Sequence, residues 1–278
     1  NPASQLSVSS PDGNLRLHVE TENGKLYYEL SRNGKPILDK SHLGFILKED
    51  TLAGHLEITE ALHHSFSGTW EQIWGEDRIV ENNYHEMTIR VQKTSAPKRK
   101  FNVVFRLFND GFGFRYEFPE QEALKDFVIM DELTEFALTG DHKAWSIPYE
   151  AHFYEALYEA SPVSKLGWVS TPLTMETNDG LFLSIHEANL TDYAAMNLIP
   201  KEGSMTLKAN LTPWSTGEKV FMKAPGVTPW RTMIVAESAG NLLLSRLMLN
   251  LNEPCRIQDT SWIQPGRYIG IWWTYHMH

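Results

Sequence analysis

The chain has 278 residues, of which 42% are hydrophobic and 22% charged, with a formal net charge of -10; it is long enough to bury one large core or two smaller ones without covalent staples. That charge repels phosphate backbones, and the one basic cluster, Lys98-Arg99-Lys100, sits between two strand-like runs where a solvated turn accounts for it, which excludes nucleic acid as a partner. Cys255 is the single cysteine and no apolar run approaches the ~20 residues of a membrane span, so a disulfide scaffold and an apolar spanning helix are excluded too, while cytoplasm and periplasm stay equally open on redox grounds. The chain opens on polar residues at Asn1, as expected where a leader has been removed or a boundary chosen.

Alternation predicts a first strand over 14–19, with Leu15, Leu17 and Val19 on one side, and a second over 25–30 after Asn23-Gly24. Asn33-Gly34 offers the two positive-φ residues of a type I′ hairpin before a further strand. Residues 87–91 and 101–108 alternate again, and Asn109-Asp110-Gly111 places a turn before a strand over 114–118. A short helical turn is expected within 150–160. Strand-like runs follow at 181–185 behind Asp179-Gly180, then at 205–211, 232–235 and 247–251, while 239–249 reads as an amphipathic helix or a helix–strand junction. No fixed-period repeat or Pro, Gly or Ser-rich linker divides the chain. The expected fold is all-β, one large sandwich over 1–255. Residues 267–273, Arg-Tyr-Ile-Gly-Ile-Trp-Trp, are almost continuously apolar, as for a strand buried on both faces of a parallel barrel, so 256–278 is expected to be a linker and the first strand of a barrel whose remainder is missing.

Several blocks, in order, resemble glycoside hydrolase family 97, in particular its periplasmic starch-utilising α-glucosidase branch. They are Ser10-Pro11-Asp12-Gly13-Asn14-Leu15; Thr69-Trp70-Glu71-Gln72-Ile73-Trp74-Gly75-Glu76; the run from Arg106 through Asn109-Asp110-Gly111-Phe112-Gly113-Phe114-Arg115 to Pro119; His186-Glu187-Ala188 with Asp192-Tyr193; Thr228-Pro229-Trp230-Arg231-Thr232; Leu249 to Cys255; and Tyr268 to Trp273. The resemblance implies a galactose-mutarotase-like β-super-sandwich followed by a catalytic (β/α)8 barrel and a C-terminal β-domain. It implies a bacterial periplasmic or secreted setting, α-linked gluco-oligosaccharides as ligands, and catalytic carboxylates in the barrel rather than in these residues. The reading is the N-terminal part of a calcium-dependent, inverting α-glucosidase, inactive alone. A retaining α-galactosidase of the same family, a non-catalytic carbohydrate-binding or structural sandwich and a mutarotase-like epimerase are the alternatives.

Glu187 is the candidate metal ligand, because it matches the glutamate that the family's sandwich contributes to an active-site calcium; from spacing alone it reads as a solvated carboxylate at a strand end. Trp272 and Trp273 are candidates for stacking on a glucose ring at the barrel mouth, at most one of them facing it because neighbours on a strand point opposite ways; core packing is the plainer reading. His186 and Tyr193 flank Glu187 and are weighed as sugar-hydroxyl partners against hydrogen-bonded packing roles. His276-x-His278 and His63-His64 are weak metal patterns. Asn109-Asp110-Gly111 and Asp179-Gly180 lack the rest of an EF-hand loop and read as turns. Asn189 and Asn210 stand in glycosylation sequons that a bacterial setting leaves unused.

Overall fold

The computed structural model describes residues 5–276. The opening meander forms as the turn chemistry dictates: strands Leu15–Glu22, Lys25–Arg32 and Lys35–Leu43 pair antiparallel, and both residues of each Asn-Gly turn take positive φ, 50° and 74° at Asn23-Gly24 and 49° and 79° at Asn33-Gly34. This meander extends into an eight-stranded sheet, ordered Ser7–Ser9, Leu15–Glu22, Lys25–Arg32, Lys35–Leu43, Glu135–Leu138, Thr206–Leu211, Met196–Pro200 and Val169–Ser170. A second sheet runs Glu159–Pro162, Lys143–Ser146, Leu173–Glu176, Phe182–Ala188, Trp230–Ala236, Gly111–Phe118, Lys100–Phe108, Ile79–Lys93 and Leu56–Glu71, with Gly226–Val227 added to Gly111–Phe118. A four-stranded sheet, Val220–Lys223, Asp126–Glu132, Phe45–Leu47 and Thr51–Leu52, completes the sandwich.

One continuous core fills the space between the sheets. Its centre is aromatic: Phe114 lies 5.1 Å from Tyr28 and 5.5 Å from Phe105, both tilted, and 6.1 Å from both Phe112, stacked, and Tyr116, edge-on, ring centre to ring centre. A smaller cluster sits elsewhere, where Tyr84, Val104, Phe108, Ala188 and Trp230 pack with Leu247 and Leu251.

Four sequence expectations change. Residues 247–251 form a helix, not a strand, and Ala239–Leu244 a separate one; Leu247 and Leu251 are its buried residues, an i, i+4 spacing that lays both side chains on one helical face. The helical turn expected within 150–160 is absent: 153–158 is irregular and Glu159–Pro162 is an edge strand on Lys143–Ser146. The strand Leu56–Glu71 and most of Ile79–Lys93 were not foreseen, because the first is exposed along most of its length and carries no hydrophobic period. Residues 267–273 form no strand; 267–272 are irregular, Trp273 opens a 3-10 turn, and all are exposed, Ile269 fully so. A strand needs a neighbour to receive its ladder hydrogen bonds, and among the described residues none lies beside this run.

In the basic cluster Lys98 and Arg99 lie in the connection between two strands and Lys100 begins the second, and the cluster is not merely solvated: Arg99 pairs with Asp50, which also accepts from Lys93 Nζ at 2.7 Å. A buried imidazole carries a testable cost. His142 is 3% exposed with no hydrogen-bond partner on either ring nitrogen among the described residues, and burial pushes its pKa below the usual histidine range. The unfolded chain takes up a proton near pH ~6.5 while the folded one resists it, so stability present above that pH is lost as the pH falls toward the folded pKa. His142→Leu is expected to flatten the loss between pH 7 and pH 5, by at most about 1.4 kcal/mol per pH unit. Denaturant melts of the two proteins across that range check it; parallel slopes would show that the folded imidazole protonates freely.

Candidate functional site

Glu187 stands near the end of strand Phe182–Ala188, directly across from Arg231 on Trp230–Ala236. An arginine inside Trp230-Arg231-Thr232-Met233, where every residue is buried, must find carboxylate partners, since an unpaired charge there would cost several kcal/mol. It finds two. Nε and Nη2 donate to the two oxygens of Glu132, at 2.9 and 2.8 Å, a bidentate pair with both side chains fully buried. Nη1 donates to Glu187 Oε2 at 2.7 Å. The other Glu187 oxygen accepts the backbone N–H of Met196 at 3.1 Å.

Around this triad, Tyr193 Oη donates to Glu132 Oε1 at 2.8 Å and Thr134 Oγ1 to Oε2 at 2.7 Å; Tyr116 Oη meets Thr134 Oγ1 at 2.7 Å. The Tyr193 ring lies 5.6 Å from the Arg231 guanidinium. The two carboxyls are treated differently. Burial alone would raise Glu132, but the Arg231 charge and the bonds from Arg231, Thr134 and Tyr193 hold it below the usual carboxylate range. For Glu187, burial wins over Arg231 and Met196, and its carboxyl is pushed up. Burial also raises the Tyr193 phenol. With both carboxylates ionised, two negative charges and one positive leave the cluster with one net negative charge.

The structure thus overturns the solvated-carboxylate reading of Glu187, which is buried at 9% exposure. A calcium ion takes six to eight oxygen ligands. Among the described residues no three His, Cys, Asp or Glu side chains gather around a common point; toward such an ion this cluster offers the Glu187 carboxylate, with one lone pair on each oxygen already committed. His186 is half-buried and its Nδ1 meets Thr171 Oγ1 at 3.0 Å, the packing role weighed against a sugar contact. Tyr193 likewise directs its hydroxyl inward, while lining a cavity of about 380 Å³ with Asp192, Trp214, Lys219 and Phe221. Trp272 and Trp273 lie in the irregular segment and its terminal 3-10 turn, 64% and 60% exposed, so neither is core in this chain. His63 Nε2 bonds the Gln5 carbonyl, and His278 of the His-x-His pair lies outside the described residues.

Glu132 was missed from sequence. Arg231 stands in the Thr228-Pro229-Trp230-Arg231-Thr232 block, and its signal is a permanent cation within an otherwise apolar strand. A second feature without a sequence signal is the clamp on Trp230, whose ring has the guanidiniums of Arg106 and Arg115 at 4.7 and 4.8 Å, beside a groove of about 530 Å³ lined by Phe66, Trp70 and Asn250 among others.

These observations define an all-β super-sandwich with a buried charged cluster at one strand end. A family model described as glycosyl-hydrolase 97 N-terminal matches residues 8–254, and the chain belongs to glycoside hydrolase family 97. The solved structure of a family 97 enzyme from Pseudoalteromonas sp. strain K8 in complex with acarbose superposes with a TM-score of 0.93 at 39% identity, covering 98% of this chain and 41% of that one; a variant of it was solved with panose. The retaining α-galactosidase of Bacteroides thetaiotaomicron is 26% identical over 97% of this chain and 44% of its own length. A probable retaining α-galactosidase of Streptomyces bingchenggensis is also 26% identical, over 97% and 41%. The chain therefore spans less than half the length of these curated relatives.

Proposed function

We propose that this chain is the sandwich portion of an exo-acting, inverting α-glucosidase that releases glucose from α-linked oligosaccharides, with the proton-transferring carboxylates in the part of the enzyme that corresponds to the rest of its relatives' length. The observation that carries the reading is the 39% identity, over 98% of this chain, to an enzyme solved with acarbose and panose. Glycoside hydrolysis requires an acid for the leaving oxygen and a second carboxylate for water or for the anomeric carbon. Glu132 is spent on Arg231, and Glu187 is a single carboxylate held by two donors, so this buried cluster by itself does not offer the pair. On this reading Glu187 supplies one oxygen ligand to a calcium ion, which when bound adds a fixed positive charge beside the sugar; Arg231 and the Met196 N–H keep that oxygen oriented. A periplasmic location belongs to the same proposal.

Aryl α-glucoside hydrolysis by the intact gene product, with the anomer formed first read by NMR, tests the reading. β-Glucose is expected. An α-anomer would replace inversion by retention, and cleavage of an aryl α-galactoside instead would place the enzyme with the curated relatives, whose names favour that second reading. The isolated chain is expected to be inactive. Glu187→Gln in the intact gene product is expected to lower kcat/KM about 10–100-fold and to weaken calcium binding in a chelator titration.

A further inference from the structure

We infer that Arg231, locked by Glu132, is a positioning residue for Glu187, and that Glu132 acts on the reaction only through it. The inference rests on the functional reading above and adds the device that aims its key carboxylate. An arginine fork has five N–H donors in fixed geometry. Here the edge formed by Nε and Nη2 is seated on both oxygens of Glu132, so the plane of the guanidinium is set by a strand of a different sheet, Asp126–Glu132. Setting that plane fixes where Nη1 points, and Nη1 points at Glu187 Oε2. Glu132 is itself held on both oxygens, by Tyr193 and Thr134, so the anchor cannot rotate without breaking further bonds.

The opposite oxygen of Glu187 is held from a third direction. Asn189 and Asp192 take positive φ, 53° and 47°, in the loop between the strands Phe182–Ala188 and Met196–Pro200, and Met196 donates its backbone N–H to Glu187 Oε1. Glu187 is therefore clamped between two donors that belong to two other strands. A purely structural ion pair would be complete with Arg231 and Glu132 alone; here Arg231 Nη1 and the Met196 N–H hold Glu187 on both of its oxygens as well. A carboxylate displaced by about 1 Å from its working position loses rate by up to about 10²-fold.

A double-mutant cycle on the intact gene product tests this. Arg231→Lys keeps the charge but cannot bridge Glu132 and Glu187 with a rigid fork. It is expected to lower kcat about 10-fold with KM within about 2-fold, and to lower it no further in a Glu187→Gln background, since residues acting as a unit are non-additive. Glu132→Gln, which keeps the shape of the anchor, serves as the second arm and is expected to behave the same way, with a smaller single effect. Losses that multiply in both double variants would overturn the inference and leave the pair a structural one. If Glu187→Gln alone turns over at the parent rate, it is the functional reading of Glu187 that fails, a result separable from the first.

Discussion

Arg231→Met is expected to destabilise the fold by about 3–5 kcal/mol, the cost of leaving buried charge without its partner. In wild type the guanidinium faces two carboxylates, and all three side chains are buried or nearly so. Removing it leaves Glu132 and Glu187 buried with neutral donors only and no cation beside them, and Glu132, now held low by Arg231, must take up a proton or remain a buried anion. The midpoint of a thermal melt should fall by roughly 10 °C. The signature that separates this cause from lost packing is its pH dependence. Part of Glu132's contribution is a depressed pKa, so wild-type stability from this group is full above the unfolded carboxyl range and is lost as the pH falls through the folded value. The Met variant, lacking that term, should approach wild type at low pH. A variant equally destabilised at pH 4 and pH 7 would show that the guanidinium matters by its volume. Replacing Arg231, Glu132 and Glu187 together by apolar residues of similar size should recover much of the loss, as buried ionic clusters often do.

The hairpins and the aromatic strands were legible in the sequence because their signals are local. Asn23-Gly24 and Asn33-Gly34 specify their turns whatever lies beyond them, and alternation in 101–108 and 114–118 reports the core face directly. What stayed hidden depends on partners remote in sequence. Glu132 and Arg231 are 99 residues apart, and nothing near either one announces the other. Glu187 reads as solvated because a carboxylate at a strand end ordinarily is; its partners, Arg231 and the Met196 N–H, lie on other strands. The run 247–251 was misread because Leu-x-Leu-x-Leu fits a strand face, whereas Leu247 and Leu251 pack together from one face of a helix. Residues 267–273 show the converse: a strand-like composition without a sheet to join.

Gly111→Ala is expected to cost about 3 kcal/mol or more, against about 1 kcal/mol for Gly13→Ala. Both glycines have positive φ, 151° and 77°, and Gly111 reads from its Asn109-Asp110-Gly111 context as an ordinary turn residue. Their surroundings differ. A methyl group on Gly13 meets nothing within 4 Å, so its substitution pays only for the backbone region. On Gly111 the same methyl would lie 2.3 Å from the Met233 carbonyl oxygen and 2.9 Å from both Ile234 Cα and Leu247 Cδ1. The first two belong to the backbone of the neighbouring strand Trp230–Ala236, which also carries Arg231, and Gly111 pairs directly with Ile234. Relief therefore requires moving that strand, not a flexible side chain. Denaturant melts of the two variants give the comparison, and equal losses would mean that the two strands do not approach as closely as this register requires. Since Arg231 lies three positions from Ile234, the Gly111 variant should also perturb the clamp on Glu187. In the intact gene product that perturbation is expected as a fall in kcat which Gly13→Ala does not share, linking a glycine that reads as a turn residue to the geometry of the charged cluster.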